Sequence, residues 1–461
     1  FPWLVDHCFY RQAEGWTDVS DRFPVLPMTT MVELLAEAAN RLEPDLVVTS
    51  VDNVRAMRWL PAAPATEVTV TTKRVGPGRV DAAIEGYARA TVHLAPTSAP
   101  APAPSAPPLV APRPSPVEPG PLYADHWMFH GPTFQGVRTI DALGDDGVDG
   151  AIESLPTPGA FLDNAGQLYG WWVMASADQD FLALPQSIDR IERFGPPPPH
   201  GSLVTTTVRI TELTPRTVRA DLELSQDGAV TVRITGWVDR RFDSDESLWL
   251  MLREPEHHLL ATPLPSGVVA VAERWRDSAS RELMARRYLT ADERTTYEGL
   301  NPREQRLWLL SRIAAKDAIR HALWAEGHGP LFPAELTLTD DGPGRAVAHG
   351  GDAEGRRVTL AHTDWVGVAR VATDARDRIA VVTVEPVDRD ATDDTPLARA
   401  VADVATELGL DAGALRAEAL PNPLVPTTAP EPATDPPPDP DAPAGRRDER
   451  KDHVVVWTDL P

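Results

Sequence analysis

Two proline-rich runs limit most strongly what this chain can fold into: "APTSAPAPAPSAPPLVAPRPSPVEPGP" at 95–121 and "PNPLVPTTAPEPATDPPPDPDAPAG" at 421–445. Proline lacks an amide hydrogen and fixes φ, so neither run can form a helix interior or an inner strand. With little apolar content to pack, both are expected as extended, solvated connectors. They cut the chain into regions that must each find a core. The sequence opens at Phe1 without a methionine, and further protein upstream is expected.

The regions before and after the first run share a plan. In "FPVLPMTTMVELLAEAANRL", Met31, Leu34, Leu35, Ala38 and Ala39 recur at helical spacing. Alternating segments "ATEVTVTTKRV" and "VDAAIEGYARATVHLA" follow, as strands should. After the run, "PGAFLDNAGQLYGWW" at 158–172 predicts a second helix, and "HGSLVTTTVRITEL", "TVRADLELSQDG" and "AVTVRITGWVDRRF" predict three strands. A third region from about Gly267 holds the long helical stretch "NPREQRLWLLSRIAAKDAIRHALW" and several strand-like segments, an α+β pattern. "HVVVWTDLP" at the end reads as a lone strand beyond a disordered tail.

Charge and cysteine content exclude several functions. The formal net charge of −24 opposes bulk attraction to nucleic acid or an anionic membrane. One cysteine, Cys8, allows neither an internal disulfide nor a thiolate zinc cluster, which fits a cytoplasmic setting. No run of about 18 apolar residues offers a membrane span.

Two polar residues stand out in apolar surroundings. His7 lies in "PWLVDHCFY"; an isolated histidine is ordinarily structural, and Cys8 cannot couple to it if strand neighbours point to opposite faces. Asp163 follows Pro158 and Gly159 at a helix start, where a carboxylate interacts favourably with the helix dipole. Gln167 lies one turn later.

These pieces occur in an order that resembles the dehydratase domain of type I polyketide synthases. "PWLVDH", "FPVLPMTTMVELLAEAA", "MFHGPTFQGV" at 128–137 and "PGAFLDNAGQLYGWW" with Asp163 and Gln167 carry the resemblance across residues 1 to about 242. The chain departs from the family pattern at Arg11 and Trp16, where glycine and proline are usual, and at His130, where tyrosine often stands. The resemblance implies a double hotdog, two curved antiparallel sheets each wrapping a long helix, with hotdogs at 1–95 and 122–242 joined by a linker at 96–121. It further implies β-elimination of water from a β-hydroxyacyl thioester. His7 would be the base and Asp163 the acid, with Gln167, Gly131 and His130 orienting substrate and either a helix N-terminus or a backbone amide near Gly131 polarising the thioester carbonyl. Burial is expected to outweigh the helix dipole and keep Asp163 neutral. No cofactor is implied beyond the phosphopantetheine that carries the substrate. The implied partners are an acyl carrier protein and other synthase domains, with a homodimer left open.

The third region, 266–390, resembles a degenerate 4′-phosphopantetheinyl transferase, as at the C-terminus of enediyne-type and related iterative synthases. "WLLSRIAAKDAIRHALW", preceded by "RYLTADER" and followed by "VTLAHTDWVGVARVA", carries that likeness. It implies coenzyme A contact at Lys316 and Mg²⁺ binding at Asp317 and Glu385, although Thr383 stands where the family's metal-binding aspartate is expected. Mg²⁺ and coenzyme A would be needed only if that region were active. Residues 391–461 are expected as a mostly disordered tail. Two alternatives stay open: a transferase that activates a carrier protein, and a non-catalytic chain-binding or docking module.

Overall fold

The computed structural model describes residues 2–177, 180–242, 244–275, 277–373, 377–384, 395–408, 415–420 and 452–458. The chain divides into two compact units, Phe1–Arg11 with Thr17–Trp249, and Gln12–Trp16 with Leu250–Pro461. No helix among the described residues is long and apolar enough to cross a membrane.

The first unit contains helix α1 (Met28–Leu42) and strands β1 (Val47–Ala56), β2 (Val70–Gly76), β3 (Arg79–Ile84) and β4 (Ala88–Ala95). A short helix α2 (Pro119–Ala124) and strands β5 (Val137–Gly144) and β6 (Gly147–Glu153) come next. Helix α3 (Ala160–Ser176) and strands β7 (Leu182–Arg193), β8 (Leu203–Leu213), β9 (Thr217–Gln226) and β10 (Ala229–Phe242) complete it. All ten strands join one sheet in the order β2-β3-β4-β1-β7-β10-β9-β8-β6-β5. Burial alternates along β4, β9 and β10, so one face of each faces the core and the other faces outward.

Each half of the sheet wraps its own helix, as expected of a double hotdog. Helix α1 packs on β1 to β4, and α3 packs on β5 to β9. Met31, Leu35 and Ala39 on α1 and Leu168, Tyr169 and Trp172 on α3 enter one shared core with Val92, Leu222 and Trp237. Neighbours at i, i+4 and i+8 form the α1 stripe, which explains why its amphipathic pattern is readable.

The first proline-rich run is extended as its composition predicts, but it is fastened rather than free. Pro102 accepts from the Val230 amide of β10 (2.8 Å). The Ser105 amide and hydroxyl both donate to Glu223 on β9. Pro107 accepts from Arg209 on β8 (2.7 Å), Val110 donates to Asp146 in the β5–β6 turn (2.8 Å), and Arg113 bridges to Leu143 of β5. The prolines leave carbonyls and the few remaining amides as the only backbone partners, and strand residues engage both.

Helix α4 (Glu246–Arg253) follows β10 in the chain. The second unit contains β11 (Thr262–Pro263), β12 (Val268–Ala272), α5 (Ser278–Tyr288), α6 (Ala291–Glu298), α7 (Pro302–Ala325), β13 (Thr337–Asp340), β14 (Arg345–His349), β15 (Arg357–His362) and β16 (Val366–Val371). These strands form a six-stranded sheet, β11-β12-β16-β15-β14-β13, against which α7 packs. Helix α7 starts where the sequence says it should: Asn301 and Glu304 form a reciprocal capping box and Pro302 occupies the first turn.

Strand β17 (Ile379–Val384), helix α8 (Thr395–Leu408), β18 (Leu415–Ala419) and β19 (Asp452–Thr458) follow. The terminal segment corrects the sequence reading. Instead of standing alone, β19 is the central strand of β17-β19-β18. Val455 and Val456, adjacent and therefore on opposite faces, are both fully buried, as a central strand covered on both sides requires. The second proline-rich run, 421–445, lies outside the described residues.

Candidate active site

Four local devices bring the polar residues together. Backbone pairing between His7 and His130 aligns the opening segment with the 130 segment. The Gly131 amide donates to Asp6 O (2.7 Å) and the Thr133 amide to the Asp6 carboxylate (3.1 Å). Helix α1 fixes the start of α3: Glu33 accepts from the Gly159 amide (2.8 Å), and the Thr30 hydroxyl donates to Pro158 O (2.8 Å). Gly159 has φ +84, and a Cβ there would lie 2.5 Å from the Thr30 amide nitrogen, so both conformation and space call for glycine.

The result is a buried cluster of His7, His130 and Asp163. His7 Nε2 lies 3.9 Å from Asp163 Oδ1, and His130 Nε2 lies 3.2 Å from Asp163 Oδ2. His7 Nδ1 sits 2.8 Å from Val25 O. A carbonyl only accepts, so Nδ1 carries the hydrogen and Nε2 presents a lone pair to the cluster. Burial pulls the His7 pKa down from 6.5 to about 4, with Asp163 and the Val25 bond opposing and His130 assisting, so the imidazole is neutral near pH 7.

Gln167 is hydrogen-bonded at both ends of its amide. Its amide nitrogen lies 2.9 Å from Asp163 Oδ2 and 2.9 Å from Phe134 O. Its carbonyl accepts from the Tyr123 hydroxyl (2.7 Å), which in turn accepts from the Val137 amide (3.1 Å). Gln167 is thus buried and pinned at both ends. The Thr29 hydroxyl approaches Asp163 Oδ1 at 3.5 Å, and Asn164 accepts from the Gly136 amide at 3.0 Å. Tyr123, Thr29 and Asn164 are site residues that sequence reading did not single out.

One expectation needs correction. Asp163 is held below its ordinary value, not above it. Burial is the largest single influence and does push the carboxyl up, but His130, His7 and the Gln167 bond together outweigh it. The amide of Gly131 itself is bonded to Asp6. A Cβ there would lie 2.6 Å from Asp6 Oδ1, which makes Gly131 a close-packing glycine.

His130 reaches Asp163 from the segment that follows helix α2. Helix α2 ends at Ala124, and His126 has φ +56. The His130 ring stacks on Phe129 with centroids 4.2 Å apart. No other group of three or more His, Cys, Asp or Glu side chains among the described residues brings its nitrogen, sulfur or carboxylate oxygen atoms so close together. With Asp163 Oδ2 engaged by His130 and Gln167, and His7 Nε2 free, the cluster is arranged to move protons.

The second unit treats its candidate residues differently. Lys316 is fully buried, with Nζ donating to Tyr288 O (2.6 Å) and to Glu293 (2.6 Å). Asp317, also fully buried, accepts at Oδ2 from the Leu260 and Ala261 amides (both 2.9 Å) and the Tyr288 hydroxyl (3.0 Å). Its Oδ1 accepts from Arg320 at 2.9 Å. The polar atoms of both residues are engaged by partners within the protein. Glu385 lies outside the described residues, and Thr383 pairs with His453 in the β17–β19 ladder.

No curated protein sequence matches the chain. Among solved structures, it is similar to the dehydratase domain of a mycocerosic acid synthase-like polyketide synthase (22% identity, 53% of this chain and 88% of that chain, TM-score 0.40). It is also similar to a trans-AT polyketide synthase dehydratase domain from Brevibacillus brevis (16%, 52% and 89%, TM-score 0.40) and to the dehydratase domain of PpsC from Mycobacterium tuberculosis (17%, 52% and 89%, TM-score 0.37). Residues 101–248, which carry His130, Asp163 and Gln167, match the sequence model of the family described as the polyketide synthase dehydratase N-terminal domain.

Proposed function

We propose that the first unit eliminates water from a β-hydroxyacyl thioester delivered on an acyl carrier protein of a type I polyketide synthase, leaving an α,β-unsaturated chain. One observation carries this reading: a neutral histidine with a free Nε2 faces a carboxyl group across 3.9 Å, one from the opening segment and one from helix α3. His7 Nε2 takes the proton α to the thioester carbonyl, where the adjacent carbonyl lowers the cost of the developing negative charge. The released electron pair forms the α,β double bond and breaks the bond from the β-carbon to oxygen. Asp163 supplies the proton that lets the hydroxyl leave as water, with Gln167 fixing the carboxyl through Oδ2. The family match over residues 101–248 supports the same reading.

A β-hydroxyacyl thioester offered to the full chain tests it through the rise of enoyl thioester absorbance. His7→Ala and Asp163→Asn should each lower turnover by about 10²-fold or more, within the usual contribution of positioned acid–base groups. Equal turnover in all three proteins sinks the proposal. For the second unit, no observation among the described residues favours carrier-protein activation, because the Lys316 and Asp317 polar atoms face inward partners. Mg²⁺-dependent transfer of phosphopantetheine from coenzyme A to a carrier serine should be undetectable; robust transfer would reverse that judgement.

A further inference from the structure

Dehydration needs a proton on Asp163, yet the surroundings of Asp163 favour its ionised form. His130 offers the resolution, and the argument rests on the dehydratase reading above. Its Nε2 is 3.2 Å from Asp163 Oδ2, a distance at which one proton can be shared. Its ring is fixed by stacking on Phe129 and by edge contact with His7, centroids 5.1 Å apart. Its Nδ1 is buried without a hydrogen-bond partner in the protein. A buried nitrogen left unpaired costs about 1–3 kcal/mol, which is unexplained if the ring only fills space.

We infer that His130 and Asp163 together hold the proton delivered to the leaving hydroxyl, with His130 acting through Asp163 as a positioning residue. The charge balance favours this. One carboxylate and two neutral imidazoles would bury a net negative charge; one added proton on the pair makes the cluster neutral, which a low-dielectric site favours. During turnover the pair passes that proton to the β-oxygen while His7 gains the α-proton, so the site stays neutral. Afterwards His7 releases a proton to solvent and the pair takes one up; no other reactant is needed. Four other groups bear on the pair: His7 from the opening segment, Asp6 beneath Gly131, Tyr123 through Gln167, and Asp239 on β10, whose carboxyl burial pushes up to about 8.

The test is the pH profile of kcat and kcat/KM for β-hydroxyacyl thioester dehydration by the full chain and three variants. His130→Phe keeps the stacked ring and removes both nitrogens; kcat should fall about 10²-fold with KM little changed, and the alkaline limb should shift. His130→Gln keeps a donor toward Asp163 but no titrating group, and should also stay slow, which carries the reading if the Phe variant fails to fold. His130→Tyr restores a titrating donor and should recover part of the rate with its alkaline limb at higher pH. Profiles for Phe and Gln that superimpose on wild type overturn the inference. His7→Ala, run alongside, separates the two failures: if it is slow while the His130 variants match wild type, only the inference falls, whereas an active His7→Ala removes the dehydratase reading itself.

Discussion

Asp163 and Asp317 are both aspartates on long helices, both close to cationic or potentially cationic side chains, and their settings differ in what is left over. Around Asp317 every group is matched: two backbone amides, a phenol and Arg320 occupy its oxygens, and Arg320 also donates to Leu331 O and Pro255 O. Around Asp163 the matching is deliberately incomplete, with His7 Nε2 uncommitted and His130 Nδ1 unpartnered. A buried carboxylate with all its partners is a structural joint. One whose neighbours retain a free lone pair and an exchangeable proton can do acid–base work.

The strongest way to break this contrast is to substitute both. Asp163→Asn should cost about 10²-fold or more in dehydration while the unfolding midpoint barely moves. Asp317→Ala should do the reverse, because it leaves the Arg320 guanidinium buried and uncompensated: a loss of about 3–5 kcal/mol in the second unit, read by denaturant unfolding, with turnover per folded molecule unchanged. If Asp317→Ala instead abolished dehydration without loss of stability, the contrast would collapse.

The pH dependence sharpens it further. His7 binds a proton at about 4 in the folded chain and at 6.5 when unfolded, so between those values the unfolded state holds more protons. His7 therefore contributes stability that is fully present above pH 6.5 and is lost as pH falls toward 4, by about 3 kcal/mol. His7→Ala should flatten that slope, and kcat/KM of the wild type should rise with pH through about 4. A smaller effect belongs to Gly159→Ala, which forces a side chain into a left-handed conformation against Thr30: about 1–2 kcal/mol from the backbone alone, with a concurrent loss of rate because α3 carries Asp163. The smallest is Glu223→Gln, which weakens exposed contacts to Ser105 and Arg233 and should cost at most about 1 kcal/mol in thermal melts.

How much of this could be read beforehand depended on the range of each interaction. Helices α1 and α3 and strands β2 to β4 and β8 to β10 are written in local periodicity, and they appear nearly where the sequence puts them. Strand β7 was not singled out in the sequence. In the sheet, Pro185 pairs with Asp239 at a register shift of the β7–β10 ladder, beyond the Ser187–Glu192 stretch that pairs with β1, so a missing amide is tolerated. Motif order singles out His7, Asp163 and Gln167, and the fold brings these three together. Tyr123 lies 44 residues from Gln167 and Thr29 lies 134 residues from Asp163, so no spacing rule links them. The charge state of Asp163 was misjudged for the same reason: burial and dipole are local, whereas His130 reaches it only through the fold.

The fastened proline run has a practical consequence for anyone dividing this chain. Residues 95–121 look like the natural place to cut, between two similar halves. Yet His7 belongs to the first half and Asp163 to the second, and the run is stitched to β10, β9, β8 and β5 on its way between them. A protease or an engineer who severs it does not obtain two small domains. The cut instead separates His7 from Asp163 and strips a belt from the outer face of the sheet. The indivisible unit for expression, transplantation or recombination is the whole ten-stranded sheet with its strap in place.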